Sequence, residues 1–184
     1  GWWRQSDIAR QQEIETLALV ETMGRYRQNF LKNRALAASR QVERGANEAP
    51  YGHVIPMSQH DPGTALKFAS TLMMDGVEVH RATERFIAGT RVVEPGDLIV
   101  RLDQPSRALA KTMIEPMVYP DNEWTRDREG SPLPPYDMAS FTLADHMGVE
   151  SFPLSEKITA KLEKLTAAPK PASRLLRGQA LQRP

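Results

Sequence analysis

The sequence has no cysteine among its 184 residues. That excludes a disulfide framework, a thiol nucleophile and a cysteine-ligated zinc site, and it leaves the redox compartment unread. No run approaches the roughly 20 apolar residues of a membrane helix. The start, Gly1-Trp2-Trp3-Arg4, lacks the basic n-region and continuous apolar h-region of a signal peptide. A strong charge of either sign is also missing. The net charge of +1 excludes, by composition, a strongly basic nucleic-acid binder. Neither a nucleic-acid partner nor a membrane span is expected. No repeat with a period of 20–50 residues is visible. What is present is a chain of one-domain length, ~70% of whose unfolded surface can be buried.

Charge divides the chain into three zones. Residues 1–44 carry 8 basic and 5 acidic side chains, residues 45–165 carry 12 and 18, and residues 166–184 carry 4 and none. The first zone has no proline and a single glycine, Gly24. Ile14, Leu17, Val20, Met23, Tyr26 and Phe30 recur at spacings of three and four. This predicts a long amphipathic helix over about Ser6–Arg44, capped by Ser6 or Asp7, ended by Gly45, with Gly24 as the natural place for a break. Its stripe is longer than a domain of about 120 residues needs to cover, so part of it is expected to be exposed or paired. Its second half, from Arg25 to Arg44, holds six cations against Glu43 alone. A solvated face and a surface packing on an acidic neighbour both fit. The domains read as a long helical segment over 1–45, an α/β domain over 46–165, and a Pro/Ala/Arg-rich linker or disordered tail over 166–184.

The middle zone alternates strand and helix signals. His53–Pro56 reads as a short strand. Asp61-Pro62-Gly63 opens a helix with a good N-cap and proline at the first helical position. Its apolar stripe is Leu66, Ala69, Leu72 and Met73, and Gly76 stops it. Val77–Ala82 is the next strand, completing a strand–helix–strand unit expected to cross over right-handed. Phe86–Ala88 and Arg91–Val93 flank Gly89-Thr90 as a β-hairpin, and Asp97–Leu102 is a further strand. A helix opens at Pro105 and ends at about Glu115, with Ala108, Leu109 and Met113 as its stripe. Residues 116–135, with five prolines, read as a long surface loop of the kind that is often functional or mobile. A short helix is expected over Tyr136–Met147, ended by Gly148. A short strand is expected over Val149–Phe152, and a last amphipathic piece over Ile158–Leu165. The fold class is therefore α/β: a small mixed sheet built on a strand–helix–strand unit plus a β-hairpin, preceded by a long N-terminal helix.

Chemistry-bearing motifs are few. The four histidines are His53, His60, His80 and His146, and no His-Glu-x-x-His or His-x-x-Glu pair frames a zinc. No Gly-x-Ser-x-Gly elbow, dinucleotide fingerprint or phosphate loop is present. His60 and Asp61 at a helix start meet His80 only if the two strands pair. They are the candidate ligand-binding residues, because ligands of open α/β sheets favour the carboxyl ends of strands. Trp124, in the loop Tyr119–Trp124, is the fourth candidate, though such a ring is more often a packing anchor than a ligand platform. No residue is assigned a catalytic or metal-binding role.

A series of short motifs runs through the chain. It comprises Gly1-Trp2-Trp3-Arg4, Glu43-Arg44-Gly45 into Glu48-Ala49-Pro50-Tyr51, Val54-Ile55-Pro56, and Gln59-His60-Asp61-Pro62-Gly63-Thr64-Ala65-Leu66. Gly76–Ala82, Gln104-Pro105-Ser106-Arg107 with Ala110-Lys111, Pro135-Tyr136-Asp137 and Met147-Gly148-Val149 follow. In order and spacing the series, over about residues 1–150, resembles the region downstream of the catalytic domain in large bacterial zinc carboxypeptidase-like proteins, the carboxypeptidase A-like metallopeptidase family. In that family the zinc ligands and catalytic glutamate lie in a separate domain, so no catalytic residue carries over. The resemblance implies a non-catalytic accessory domain that braces the peptidase domain or helps present substrate. It implies no cofactor in this segment and zinc in the parent's catalytic domain. The implied partners are that domain and a further C-terminal one, and the implied parent is secreted or periplasmic, with this chain a piece of it. The alternative is an independent small-ligand-binding α/β module.

Overall fold

The computed structural model describes residues 2–134 and 141–170. The chain divides between Arg40 and Gln41 into two units. The first is helical. α1 spans Gln5–Arg25 and α2 starts at Arg27 and runs to Asn47, into the second unit. Where one helix was expected, Tyr26 interrupts it with a non-helical backbone. Arg27 donates to the Gly24 carbonyl near the break, at 3.2 Å. The N-cap is Arg4, not Ser6 or Asp7 as expected, and Asp7, three residues on, accepts from the Arg4 backbone N–H at 2.9 Å. α1 buries no residue, and Ile14, Leu17, Val20, Met23, Tyr26 and Phe30 are all exposed.

The second unit has the expected α/β character. In chain order it continues with β1 (Gly52–Ile55), α3 (Pro62–Met74), β2 (His80–Ala82), β3 (Phe86–Ala88), β4 (Arg91–Val93), β5 (Leu98–Arg101), α4 (Arg107–Ile114), α5 (Leu143–Met147), β6 (Phe152–Leu154) and β7 (Leu162–Lys164). Five strands form one sheet in the order β6-β1-β5-β2-β7, and β3 and β4 form the hairpin. Every pairing in the five-stranded sheet is antiparallel. β1 and β2, the two ends of the strand–helix–strand unit, therefore run parallel to each other with β5 lodged between them.

Both faces of this sheet are covered. Side chains alternate across a strand. Ile55, Leu98 and Val100 enter one core with Phe68 and Leu72 of α3, Ala110 and Ile114 of α4, and Ala144 of α5. Val54 and Ile99 enter a second core with Ala82, Val93, Phe152 and Leu154, against which Phe86 and Ala88 of the hairpin pack. β1 is consequently buried along its whole length. α3 begins as its residues require: Asp61 accepts from the Thr64 N–H at 3.0 Å and from its hydroxyl at 2.7 Å. It ends at Gly76, whose φ of 81° lets the Val77 N–H reach back to the Leu72 carbonyl.

Three expectations need correction. Gly45 does not end a helix but lies buried within α2. Its absent side chain is what admits the chain at Leu102, because a Cβ there would stand 1.7 Å from the Leu102 carbonyl oxygen. The stripe of α4 is Arg107, Ala110 and Ile114, while Leu109 is exposed. The strand near residue 150 lies later, at β6. The surface loop over 116–134 is as expected, exposed along nearly its whole length, and bonds of its own shape it: Arg126 grips Asp121 through two bonds of 2.7 Å, and Asp127 accepts from the Ser131 N–H at 2.8 Å. The start of the helix expected over 136–147, the motif at 135–137 and the tail from 171 lie outside the described residues.

Candidate functional site

The four residues singled out from sequence do not form one site. His60 and Asp61 sit on the exposed loop that starts α3. Asp61 serves as its N-cap, and the two Thr64 bonds hold its carboxyl below the usual carboxylate range. His80 is on β2, which pairs with β5 and β7, not with β1. The charges around it are Arg101, Glu78, Lys164 and Asp103. Trp124 lies in a short 3-10 turn, Glu123–Thr125, with its ring 81% exposed. It anchors no packing.

A different constellation is assembled by α2 and α4, beginning at a buried strand. His53 pairs with Val100 across β1 and β5, so it points to the helical face of the sheet. There its Nε2 lies 2.9 Å from Glu115 Oε1. Burial is the main influence on this ring and pushes its pKa below 6.5, partly offset by the Glu115 carboxylate. The imidazole is thus neutral at pH 7, with Nε2–H donating and Nδ1 left as a buried acceptor with no partner among the described residues. Glu115 closes α4. Lys111, one turn earlier, donates to the same Oε1 at 2.5 Å, and the Glu115 carbonyl accepts from the Thr142 hydroxyl at 2.7 Å.

One further turn back along α4 is Arg107, only 5% exposed. Residues four apart share a helix face, so positions 107, 111 and 115 form a single row. The last turns of α2 stand opposite with a row of their own: Gln41, Arg44 and Glu48, which lies just past the helix end. Arg44 Nε donates to both Glu48 oxygens at 3.0 and 3.2 Å. Arg107 Nη2 is 3.6 Å from the same carboxylate, and Nη1 is 3.4 Å from Gln41 Oε1. Arg107 Nε is buried and has no partner among the described residues. Gln41 and Arg44 on one side and Arg107, Lys111 and Glu115 on the other wall a cleft of about 410 Å³, with Ala108, Pro116, Met117 and Phe141 as its apolar lining.

This cleft was invisible to motif reading, since its residues come from separate segments. The one local signal was Arg107 at a spacing of three and seven from Ala110 and Ile114. A cation in a helical stripe either ends the stripe or is itself buried. Among the described residues no group of three or more histidine, aspartate or glutamate side chains converges as a metal site. No helix among them is long and apolar enough to cross a membrane. No protein-family model, curated protein or solved structure matches this chain.

Proposed function

We propose that this chain is a non-catalytic accessory domain of a secreted or periplasmic zinc carboxypeptidase-like protein, bracing the peptidase domain of the same parent chain. The motif series supports this reading, and one structural observation carries it. An amphipathic helix normally draws its stability from burying its apolar face. α1 carries a full stripe and buries none of it. The cations that follow on α2, Arg27, Lys32, Arg34 and Arg40, suit an acidic surface on the same partner. Zinc would reside in that partner, and any further C-terminal domain would follow the basic tail.

Hydrogen exchange tests the bracing role. In the isolated chain, amides of 6–30 should exchange faster than those of 54–56 and 77–80, and they should slow when the peptidase segment is supplied. Equal protection of both regions in a monomeric isolated chain would end the bracing idea. The isolated chain should also lack carboxypeptidase activity and stoichiometric zinc. Elemental analysis finding one tightly held zinc, lost on mutating His60 and His80, would refute the non-catalytic reading. A second reading, an independent ligand-binding module, is favoured by one observation: the cationic cleft between α2 and α4.

A further inference from the structure

A guanidinium cannot shed its charge to suit burial, so a buried arginine calls for an anion. Among the described residues Arg107 is not given one of its own. Its nearest carboxylate, Glu48, is 3.6 Å away, half-exposed and already engaged by Arg44. Gln41 offers a neutral oxygen at 3.4 Å, and Nε has no partner among the described residues. Along the cleft Arg44, Arg107 and Lys111 face one carboxylate of the lining, Glu115, and a second, Glu48, just outside it, while the adjacent His53 is neutral at pH 7. One positive charge is left over in a wall that also presents Met117, Pro116 and Phe141. The volume is in the range of small-molecule sites, and planar two-pronged recognition of an oxyanion is what an arginine fork supplies.

We propose that the cleft between α2 and α4 binds a carboxylate carried on a compact apolar group, with Arg107 as its principal anchor and Lys111 and Arg44 beside it. A single surplus charge suits a monoanion better than a phosphate. The apolar wall formed by Met117 and Phe141 takes the attached group. Such a carboxylate comes either from a free small acid or from the last residue of a peptide. The inference holds whether or not the chain braces a peptidase domain.

Titrations at pH 7, followed by amide chemical shifts of the full chain, test it. The probes are 3-phenylpropionate, N-acetyl-phenylalanine, N-acetyl-phenylalaninamide and inorganic phosphate. Both acids should saturate, with shifts centred on 41–48, 107–117 and 141. The amide should bind at least tenfold more weakly. Tighter binding of the acetylated residue than of phenylpropionate assigns a peptide end, and the reverse order assigns a free acid. Arg107→Met should weaken both acids at least tenfold, with Arg107→Lys intermediate. Because Arg107→Met removes a buried side chain, Lys111→Met provides a second variant, expected to weaken binding several-fold in a chain with an unchanged melting curve. Absence of saturable shifts, equal binding of acid and amide, tighter binding of phosphate, or shifts outside the cleft would each overturn the proposal.

Discussion

Gly45 is the position where a single hydrogen in place of a methyl decides the packing. A Cβ there meets the Leu102 carbonyl carbon and oxygen and the Asp103 nitrogen, all backbone atoms that cannot swing aside. Gly45→Ala should therefore cost about 3 kcal/mol, the upper end of overpacking penalties, although alanine is the better helix former. A denaturant melt of that variant matching the parent would show that the Leu102 segment yields. The sequence marks Gly45 as special but not why: a glycine before Glu48-Ala49-Pro50 reads equally as a helix stop or as a close approach, and only the distant Leu102 chooses. The histidines give a second residue-scale expectation. His53 and His80 both have pKa values pushed below 6.5, first by burial. Glu115 and Lys111 face His53, and Arg101, Glu78, Lys164 and Asp103 face His80. As pH falls, the unfolded chain binds protons before the folded one, so stability is full above about 6.5 and declines as the pH drops from there toward the lowered folded values. His53→Gln keeps a donor toward Glu115 and should flatten part of this decline between pH 7 and 5. An unchanged slope in that variant would mean that His53 titrates normally when folded.

Among the elements, those with local punctuation were legible. Asp61-Pro62 and Gly76 bracket α3, Gly89 marks the hairpin, and Gly148 with its φ of 64° closes α5. What local punctuation cannot supply is pairing. β7 looks amphipathic in isolation, and only the β2 edge makes it a strand. Likewise Ala108, Leu109 and Met113 form a more apolar stripe than Arg107, Ala110 and Ile114, yet α4 turns the arginine inward. The buried face of Val77–Ala82 was readable: Val79 is fully buried in the helical-side core. Val79→Asp places an unpartnered carboxyl there and should cost roughly 3–5 kcal/mol. A neutral result in urea would mean that the segment before β2 faces outward. Gln104 ties the same segment from the side. Its Oε1 accepts from the Glu78 N–H at 2.7 Å, and its Nε2 donates to the Glu78 and Arg101 carbonyls at 3.1 and 2.5 Å, so the amide acts as a stretch of strand. Gln104→Ala should cost about 1–3 kcal/mol by stranding those groups, with faster exchange of the Glu78 amide as its local signature.

For the molecule as a whole, the charge zones read from composition do not mark the cleft, because it gathers residues from 41 to 141. The exposed stripe of α1 allows a further test. Leu17 and Val20 touch no core, so the double change to aspartate should move global stability by no more than about 0.5 kcal/mol per site. Sedimentation at high concentration should shift toward monomer relative to the parent chain. A large loss of stability would place α1 in a core of its own. The strand order has a consequence for how the chain is made. Synthesis runs from β1 toward β7, yet β1 first finds a neighbour in β5, more than forty residues later, and its other edge stays bare until β6 arrives. β2, which ends at Ala82, waits for its outer neighbour until β7 begins at Leu162. Pairings so distant in sequence form slowly, and unpaired edges invite other chains. A ribosome stalled anywhere before Lys164 holds an unfinished sheet with open flanks. The stretch most in need of a chaperone is therefore the interval between the release of β5 and the release of β7.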